Sequence, residues 1–179
     1  MRCVFALRVR RAGERLLPDR AAVRREGRPI FALRGFLALF FPALVFFALD
    51  PPWFRALALP LPGSLRWAGV GMGIASLALW TWTHVALGPL WSGQLQLREG
   101  HRLVTSGPYS RVRHPMYTAI FAWMFALFLV SANGAFLVVA MGAAAFLAGR
   151  APREEQMMLE RFGIDYRGYM ERTGRFLPW

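Results

Sequence analysis

The chain of 179 residues contains one cysteine and no lysine. The single cysteine, Cys3, excludes an internal disulfide framework and zinc sites that need several thiolates. The three histidines, His84, His101 and His114, do not lie at a metal-ligand spacing, so the sequence predicts no metal site. Acidic residues are also few, ten against 22 arginines, which gives a formal net charge of +12 at pH 7.

Apolar residues dominate the composition. Hydrophobic residues make up 56% of the chain and charged residues 18%, against averages of about 45–50% and about 25% in soluble proteins. The mean hydropathy is +0.34. This balance argues against disorder and against an ordinary soluble domain, and the length fits one domain. The apolar surplus predicts an integral membrane protein.

Four apolar runs predict the fold class, an all-α integral membrane protein with about four transmembrane helices. At 1.5 Å per residue, the first run forms a helix of about 31 Å, which matches a hydrocarbon core. Only Asn133 and Gly134 separate the last two runs, so these are expected to form a tight helical hairpin. In the second run, Gly69 and Gly73 have the spacing that lets helix backbones approach closely. The runs cover residues 29–49, 65–88, 116–132 and 135–148.

The sequence divides into three regions. Residues 1–28 are too rich in arginine to span a membrane, and they are expected to form an interfacial helix. Residues 29–93 form a two-helix transmembrane region, and residues 94–179 contain the hairpin with a polar segment on each side. The apolar positions of the expected interfacial helix are Phe5, Val9, Ala12 and Leu16.

The arginines predict the orientation in the membrane. Residues 1–28 contain nine, residues 89–115 four and residues 149–179 six, whereas loop 50–64 contains only Arg55. Four spans place the three basic segments on one side, so both termini are expected to be cytoplasmic and to face anionic lipids. Nucleic acid is not expected as a partner, because the arginines occur in blocks between long apolar runs. The sequence carries no signal of oligomeric state.

The two polar segments contain an ordered set of motifs. Residues 107–109 read Gly-Pro-Tyr, residues 113–117 read Arg-His-Pro-Met-Tyr, and Glu154-Glu155 precede the sequence Phe-Gly-Ile-Asp-Tyr-Arg-Gly-Tyr of residues 162–169. Together with a terminal Arg-x-x-Pro, this order resembles the isoprenylcysteine carboxyl methyltransferase family and its phospholipid methyltransferase relatives, over about residues 94–179. One position departs from the pattern, since Ala119 stands where many members have glycine.

The resemblance implies an S-adenosylmethionine-dependent methyltransferase with its active site at the cytoplasmic membrane face. Its acceptor would be lipophilic, either the carboxylate of an isoprenylcysteine-like molecule or a lipid amine. Arginine and histidine side chains suit the cofactor carboxylate, glutamates suit its ammonium group, and tyrosines offer aromatic surface. The residues expected to bind the cofactor are Tyr109, Arg113, His114, Pro115, Tyr117, Glu154, Glu155 and Tyr166.

The expected catalytic residues depend on the acceptor. A sulfonium methyl group is already activated, so alignment contributes most, about 7–11 kcal/mol. A carboxylate acceptor needs only a cation to orient it, for which Arg172 and Arg175 are candidates. An amine or hydroxyl acceptor needs a base, and the candidates are Glu154, Glu155 and His114.

Structural roles compete with these assignments. Arg111 and Arg113 could bind lipid phosphates, a reading favoured for Arg111 but not for Arg113. The two glutamates could pair with Arg150 or Arg161. Because adjacent helical residues point about 100° apart, only one of the glutamates is expected to face the cofactor.

The roles of two C-terminal tyrosines remain open from the sequence, and so do two alternative functions of the chain. Tyr166 and Tyr169, at i and i+3, could merely pack the tail on the membrane face. An NADPH-dependent lipid reductase of the sterol reductase type is one alternative function, although the chain is short for it. A non-enzymatic basic membrane scaffold is the other, but it leaves the paired glutamates and the tyrosine spacing unexplained.

Overall fold

The computed structural model describes residues 28–88 and 103–178, with side chains from residue 38 onward. The described part of the chain is helical and contains no strands, only two isolated bridges between extended residues. The expected interfacial helix of residues 1–28 lies almost wholly outside the described residues. The helices are α1 (Arg28–Leu49), the single turn α2 (Pro52–Arg55), α3 (Gly63–Leu87), α4 (Pro115–Ser131) and α5 (Gly134–Arg172), with a 3-10 turn at Gly107–Ser110.

The expected spans coincide with helices. Within the described residues, α3 and α5 are long and apolar enough to cross a membrane, whereas Ala38–Leu49 of α1 and the whole of α4 are shorter apolar helices. Much of the surface of α3 is exposed and apolar, which suits contact with lipid. Its exposed large side chains are Leu65, Trp67, Val70, Ile74, Leu77, Trp80, Trp82 and Val85.

Helix α3 packs on α4 through small residues. Gly69, Ser76 and Thr83 are buried and stand seven residues apart, so they lie along one face of α3. A Cβ atom added at Gly69 would lie 2.7 Å from the Cβ atom of Leu129 on α4. The close helix approach predicted for this glycine is therefore confirmed.

The helical hairpin of α4 and α5 is also confirmed. Ala132 adopts the left-handed conformation, with φ 51° and ψ 38°, and it ends α4. Asn133 caps α5, because its side-chain oxygen accepts a hydrogen bond from the backbone nitrogen of Ala135 at 2.9 Å. The two helices form the core with α1 and Phe54, and the buried members are Phe40, Ala43, Phe54, Met124, Phe128, Leu129, Phe136, Val139, Ala140 and Ala143.

The hairpin tip is fastened to the loop between α1 and α3. Asn133 donates its amide to the Phe54 carbonyl at 3.1 Å, and the backbones of Leu57 and Leu59 bond to residues of the tip. The two arginines at this end are engaged within the protein. Arg55 pairs with Asp50 at 2.8 Å, and Arg66 donates to the Val130 carbonyl at the end of α4.

Helix α5 is longer than the fourth apolar run. It continues through Pro152 to Arg172, and its helical geometry is interrupted only at Gly163, where φ is 52° and ψ is −120°. Apolar composition marks where a chain leaves the membrane, but it does not mark where a helix ends. The polar segment after the hairpin is thus a direct continuation of the apolar part of α5, and Gly163 redirects it.

Candidate functional site

The motif residues assemble at the end of the hairpin opposite its tip. His114 precedes the first turn of α4, and Pro115 occupies that turn, where a missing amide hydrogen costs nothing. The C-terminal tail, residues 173–178, lies beside this segment, and Gly174 forms a parallel bridge with Val112. The Arg113 nitrogen donates to the Gly174 carbonyl at 2.8 Å, and the His114 nitrogen donates to the carbonyl of Arg175 at 3.0 Å. The backbone itself therefore joins the Arg-His-Pro motif to the tail.

Glu155 lies at the centre of a buried ion cluster. Its side chain is 4% exposed. Arg113 Nε donates to Oε1 at 2.9 Å, and Arg175 donates to both oxygens, from Nε at 3.1 Å and from Nη2 at 2.6 Å. Arg113 also donates to the carbonyls of Met170 and Thr173 at the end of α5. These contacts join α5, the segment before α4 and the tail.

The surroundings of Glu155 determine its ionisation. Burial by itself would raise the pKa of this carboxyl group. The hydrogen bonds from Arg175 and Arg113, together with the nearby His114 ring, outweigh burial and lower the pKa from 4.5 to about 2. Glu155 is therefore a permanent anion near neutral pH, and a carboxylate of such low basicity is a poor proton acceptor.

Glu154 occupies a different environment. Its Oε1 atom accepts the Tyr117 hydroxyl at 2.6 Å and Arg150 Nε at 2.8 Å. Its Oε2 atom lies 3.6 Å from Nδ1 of His114, and the side chain is 23% exposed. Glu154 is thus held on one oxygen and accessible, whereas Glu155 is enclosed.

His114 lies between the two glutamates. Its ring is 9% exposed, and it stacks on Tyr117 with centroids 5.2 Å apart and contacts Phe176 of the tail. Nε2 is 3.4 Å from Oε1 of Glu155, but its geometry makes no hydrogen bond. Among the described side chains, those of residues 38–88 and 103–178, it is the one buried nitrogen or oxygen without a hydrogen bond. Such an atom in a polar cluster is typical of a position that meets a ligand.

The tyrosines of the second motif are buried. The Tyr169 hydroxyl donates to the Tyr109 carbonyl at 2.7 Å, and the rings of Tyr166 and Tyr169 are 5.7 Å apart. Burial raises the pKa of Tyr169 to about 12, and it also raises the pKa of Tyr109 and Tyr166. All three hydroxyls therefore remain protonated. Cofactor binding and packing both stay predictions for Tyr166.

Most of the expected site residues come together. Arg113, His114, Tyr117, Glu154, Glu155 and Arg175 form one contacting cluster, and Pro115 is fully buried beneath it. The backbone carbonyl of Tyr109 accepts the Tyr169 hydroxyl. Tyr166 is buried beside Tyr169, and it is near enough to Glu155 for that carboxylate to help raise its pKa. Arg172 is exposed, and its Nε donates to the carbonyl of Gly168. Its expected role in orienting the acceptor stays a prediction.

Two contributors were not expected from the sequence. Thr173 is 2% exposed, and its hydroxyl donates to the Tyr169 carbonyl at 2.6 Å, which closes the end of α5. Thr118 donates to the Phe176 carbonyl at 2.5 Å and fastens the tail to α4. Neither threonine belongs to a charged motif. The pairing of Arg150 with Glu154, by contrast, follows from the i, i+4 spacing on a helix.

The fold and the site together define a class of protein: a bundle of apolar helices with a charged cluster at one end of a helical hairpin. The model of the isoprenylcysteine carboxyl methyltransferase (ICMT) family matches residues 69–160. The matched region is half of the chain and includes the hairpin, the Arg-His-Pro motif and both glutamates. The chain belongs to this family.

Individual relatives agree with the family match. The protein-S-isoprenylcysteine O-methyltransferase B of Arabidopsis thaliana is 32% identical over 90 residues, which are 48% of this chain and 44% of that protein. The nickel-cobalt-cadmium resistance protein NccN of Alcaligenes xylosoxydans xylosoxydans is 30% identical over 97 residues, 54% of this chain and 46% of that protein. The chain thus spans about half the length of these relatives.

A solved structure supports the fold. The eukaryotic intramembrane Ras methyltransferase ICMT superimposes with a TM-score of 0.68 over 82% of this chain and 53% of that chain, at 24% sequence identity. At this identity the likeness concerns the fold alone. Differently named relatives match this chain over about half of its length, so the family match by itself does not specify the acceptor.

Proposed function

We propose that the chain is a membrane-embedded methyltransferase that uses S-adenosylmethionine and acts on a lipophilic acceptor. The observation that carries the proposal is the pair of glutamates on α5, one enclosed and one accessible, on either side of the buried His114 ring. The names of the methyltransferase relatives support the reaction class. The acceptor is the carboxylate of an isoprenylcysteine-like molecule or the amine of a lipid.

The cluster fits the amino acid portion of this cofactor. Arg113 and His114, the expected donors to the carboxylate of the cofactor, lie together in the cluster beside Glu155. Oε2 of Glu154 offers an acceptor for an ammonium group. The unbonded Nε2 atom of His114 provides a further polar contact. Bound S-adenosylmethionine would supply a methyl group already activated by its sulfonium.

The protein residues then have separate roles in the reaction. The tail and the hairpin enclose Glu155, whose side chain is 4% exposed, and the pairing of Glu155 with arginines keeps this part of the site rigid. Glu155 is a poor candidate for a base, because its low pKa makes that carboxylate a weak proton acceptor. Arg175 is our candidate for orienting an anionic acceptor, since 43% of its side chain is exposed while it contacts the cluster. Arg172 is the second candidate.

The membrane arrangement is part of the proposal. We infer four spans, formed by α1, α3, α4 and the apolar part of α5, with both termini and the site on the cytoplasmic side. The distribution of arginines supports this orientation. Of the two arginines nearest the opposite end, Arg55 pairs with Asp50 and Arg66 donates to the Val130 carbonyl. The anionic lipids of the cytoplasmic leaflet would then face the basic segments.

The test of the cofactor is calorimetry on the purified chain with S-adenosylhomocysteine and, separately, NADPH. We expect binding of S-adenosylhomocysteine only. Replacing His114 or Glu154 by alanine should weaken it by roughly 1.5–3 kcal/mol, the contribution of a charged hydrogen bond. Glu160→Ala, an exposed glutamate on the same helix, is the control and should not change affinity. Binding of NADPH instead would favour the reductase, and binding of neither would favour a scaffold.

The test of the acceptor is an untargeted methyl-transfer assay with labelled cofactor on host membrane lipids. If Arg175 orients an anionic acceptor, Arg175→Ala should lower turnover and leave S-adenosylhomocysteine affinity near that of wild type. Lysine presents one point charge where arginine presents a planar fork, so Arg175→Lys should also be impaired. Full activity of the lysine variant would remove Arg175 from the acceptor site.

A further inference from the structure

Arg150 lies at the cytoplasmic end of the apolar part of α5. An arginine at the end of a membrane span ordinarily extends toward lipid head groups. The Arg150 side chain is instead 11% exposed, and it is directed at Glu154 one turn further along the helix. Arg153, three residues later, is exposed. The two arginines therefore serve different purposes, and only Arg150 is part of the cluster.

Arg150 and Tyr117 bond to the same carboxylate oxygen. Arg150 Nε and the Tyr117 hydroxyl lie 2.8 Å and 2.6 Å from Oε1 of Glu154. Because one donor belongs to α5 and the other to α4, they hold the carboxylate from two helices, and turning it would break both bonds. Oε2 receives no hydrogen bond from the side chains of the described segments, and it lies on the His114 side of the carboxylate.

We propose that Arg150 is a positioning residue of the cofactor site. With Tyr117 it holds Oε1 of Glu154, so that Oε2 is presented toward His114 as the acceptor for a primary ammonium group. The inference rests on the proposed function, because the ammonium group is that of the amino acid portion of S-adenosylmethionine. Arg150 itself does not touch the amine, and it acts only through the orientation of Glu154.

The experiment compares two ligands by calorimetry on the purified full chain: S-adenosylhomocysteine and its analogue without the amino group. R150Q removes the charge and the donor that holds Oε1. We expect R150Q to weaken the binding of S-adenosylhomocysteine about tenfold, the effect of one charged hydrogen bond. The affinity for the analogue should stay within about twofold of wild type. R153Q is the matched control, and it should leave both affinities within about twofold.

Two more variants test whether Arg150 acts through Glu154. In an E154Q background, R150Q should cause no further loss of preference for the amino-bearing ligand, because the group that it positions is already altered. R150K keeps the charge but presents a single point donor, so it should weaken S-adenosylhomocysteine about threefold and spare the analogue. If R150Q does not fold, the affinities of R150K for the two ligands are compared instead.

The outcomes separate the two proposals. An equal loss for both ligands means that Arg150 only supports the fold, and it overturns the positioning role while leaving the cofactor assignment intact. An unchanged preference in R150Q, or in R150K where that variant is decisive, overturns the positioning role as well. Failure of the wild-type chain to bind S-adenosylhomocysteine overturns the proposed function, and with it the role of Arg150.

Discussion

Arg175 of the tail and Glu155 of α5 form a two-point ion pair, with nitrogen–oxygen distances of 3.1 Å and 2.6 Å. Arg113 approaches the same carboxylate at 2.9 Å. One buried anion thus joins α5, the segment before α4 and the tail. Removing one partner of a buried ion pair leaves an uncompensated charge, which usually costs more than the pair contributes. The charge state of Glu155 should therefore govern the stability of the whole site.

The first prediction concerns pH. The pKa of Glu155 is lowered from 4.5 to about 2 in the folded chain. Its stabilising contribution is therefore complete above about pH 4.5 and is lost as the pH falls toward 2. The linked free energy of unfolding is on the order of 3 kcal/mol. Thermal melting in detergent across this range should show a falling melting temperature on acidification.

Other carboxylates also titrate in this range, so the difference between two proteins is the informative quantity. Glu155→Gln cannot lose a proton, and it should be less stable at neutral pH and less sensitive to acid than wild type. Glu160→Gln, an exposed residue on the same helix, should behave as wild type. An acid profile of Glu155→Gln that parallels the wild type would contradict the assignment.

The second prediction concerns the redirection of α5 at Gly163. Its φ of 52° and ψ of −120° lie in a region that side chains with a Cβ rarely adopt, although no atom lies within 4 Å of an added Cβ. The cost of Gly163→Ala is thus in the backbone, about 1–3 kcal/mol of unfolding free energy. Gly168→Ala, in regular helix with equally open surroundings, should be neutral or slightly stabilising. Equal effects of the two alanines in thermal melts would refute the argument.

Much of this architecture follows from the sequence, because lipid imposes long apolar runs and proteins keep arginine on one side of the membrane. Asn133 and Gly134 between two such runs predicted the hairpin, and Gly69 predicted the close approach to α4. The order of the motifs was sufficient to predict that Arg113, His114 and the two glutamates lie close together. The apolar runs, the Asn133-Gly134 turn and Gly69 are local features of the sequence, and the motif order is a feature of the family as a whole. Both kinds of feature can be recognised without the structure.

The sequence did not predict which residue of the cluster is enclosed and which is accessible. Helical geometry states that Glu154 and Glu155 point apart, but it does not state which one is enclosed. That depends on where the tail lies, and the tail is held by backbone hydrogen bonds of Arg113 and His114, which any residue type can form. The role of Thr173 depends on the same placement. The extent of α5 was hidden because hydropathy reports burial in lipid and carries no information on helix continuity.

The third prediction concerns the packing of α3 on α4. A Cβ atom at Gly69 would lie 2.7 Å from Cβ of Leu129 and 3.2 Å from the Ala126 carbonyl oxygen. Gly69→Ala should therefore force the helices apart and lower the melting temperature in detergent, at a cost of about 1–3 kcal/mol. Gly71→Ala, which meets no atom within 4 Å, should be harmless. If both variants melt alike, the close approach does not stabilise the fold.

The fourth prediction concerns the hairpin tip. Asn133 is 3% exposed, and its amide donates to the Phe54 carbonyl while its oxygen caps α5. Asn133→Ala loses both bonds and should cost about 2–4 kcal/mol of unfolding free energy. Asn133→Asp keeps the cap and loses the donor, so a buried acceptor would face the Phe54 carbonyl. The melting temperature of both variants should be lower than that of wild type. A wild-type melting temperature for the aspartate variant would show that the contact with the loop does not stabilise the fold.

The last prediction concerns orientation in the membrane. The structure places loop 50–62 against the hairpin tip, and it places the charged cluster at the other end of the hairpin. If α4 and the apolar part of α5 span the membrane, these two ends lie on opposite sides, with the arginine-rich end cytoplasmic. In a Cys3→Ser background, single cysteines at exposed positions report the side, and Ala56→Cys and Arg153→Cys are suitable. In sealed right-side-out vesicles, a membrane-impermeant maleimide should label Ala56→Cys at once and Arg153→Cys only after permeabilisation. Labelling of both without permeabilisation would mean that the hairpin does not cross the membrane, and the reverse pattern would place the cluster outside the cytoplasm.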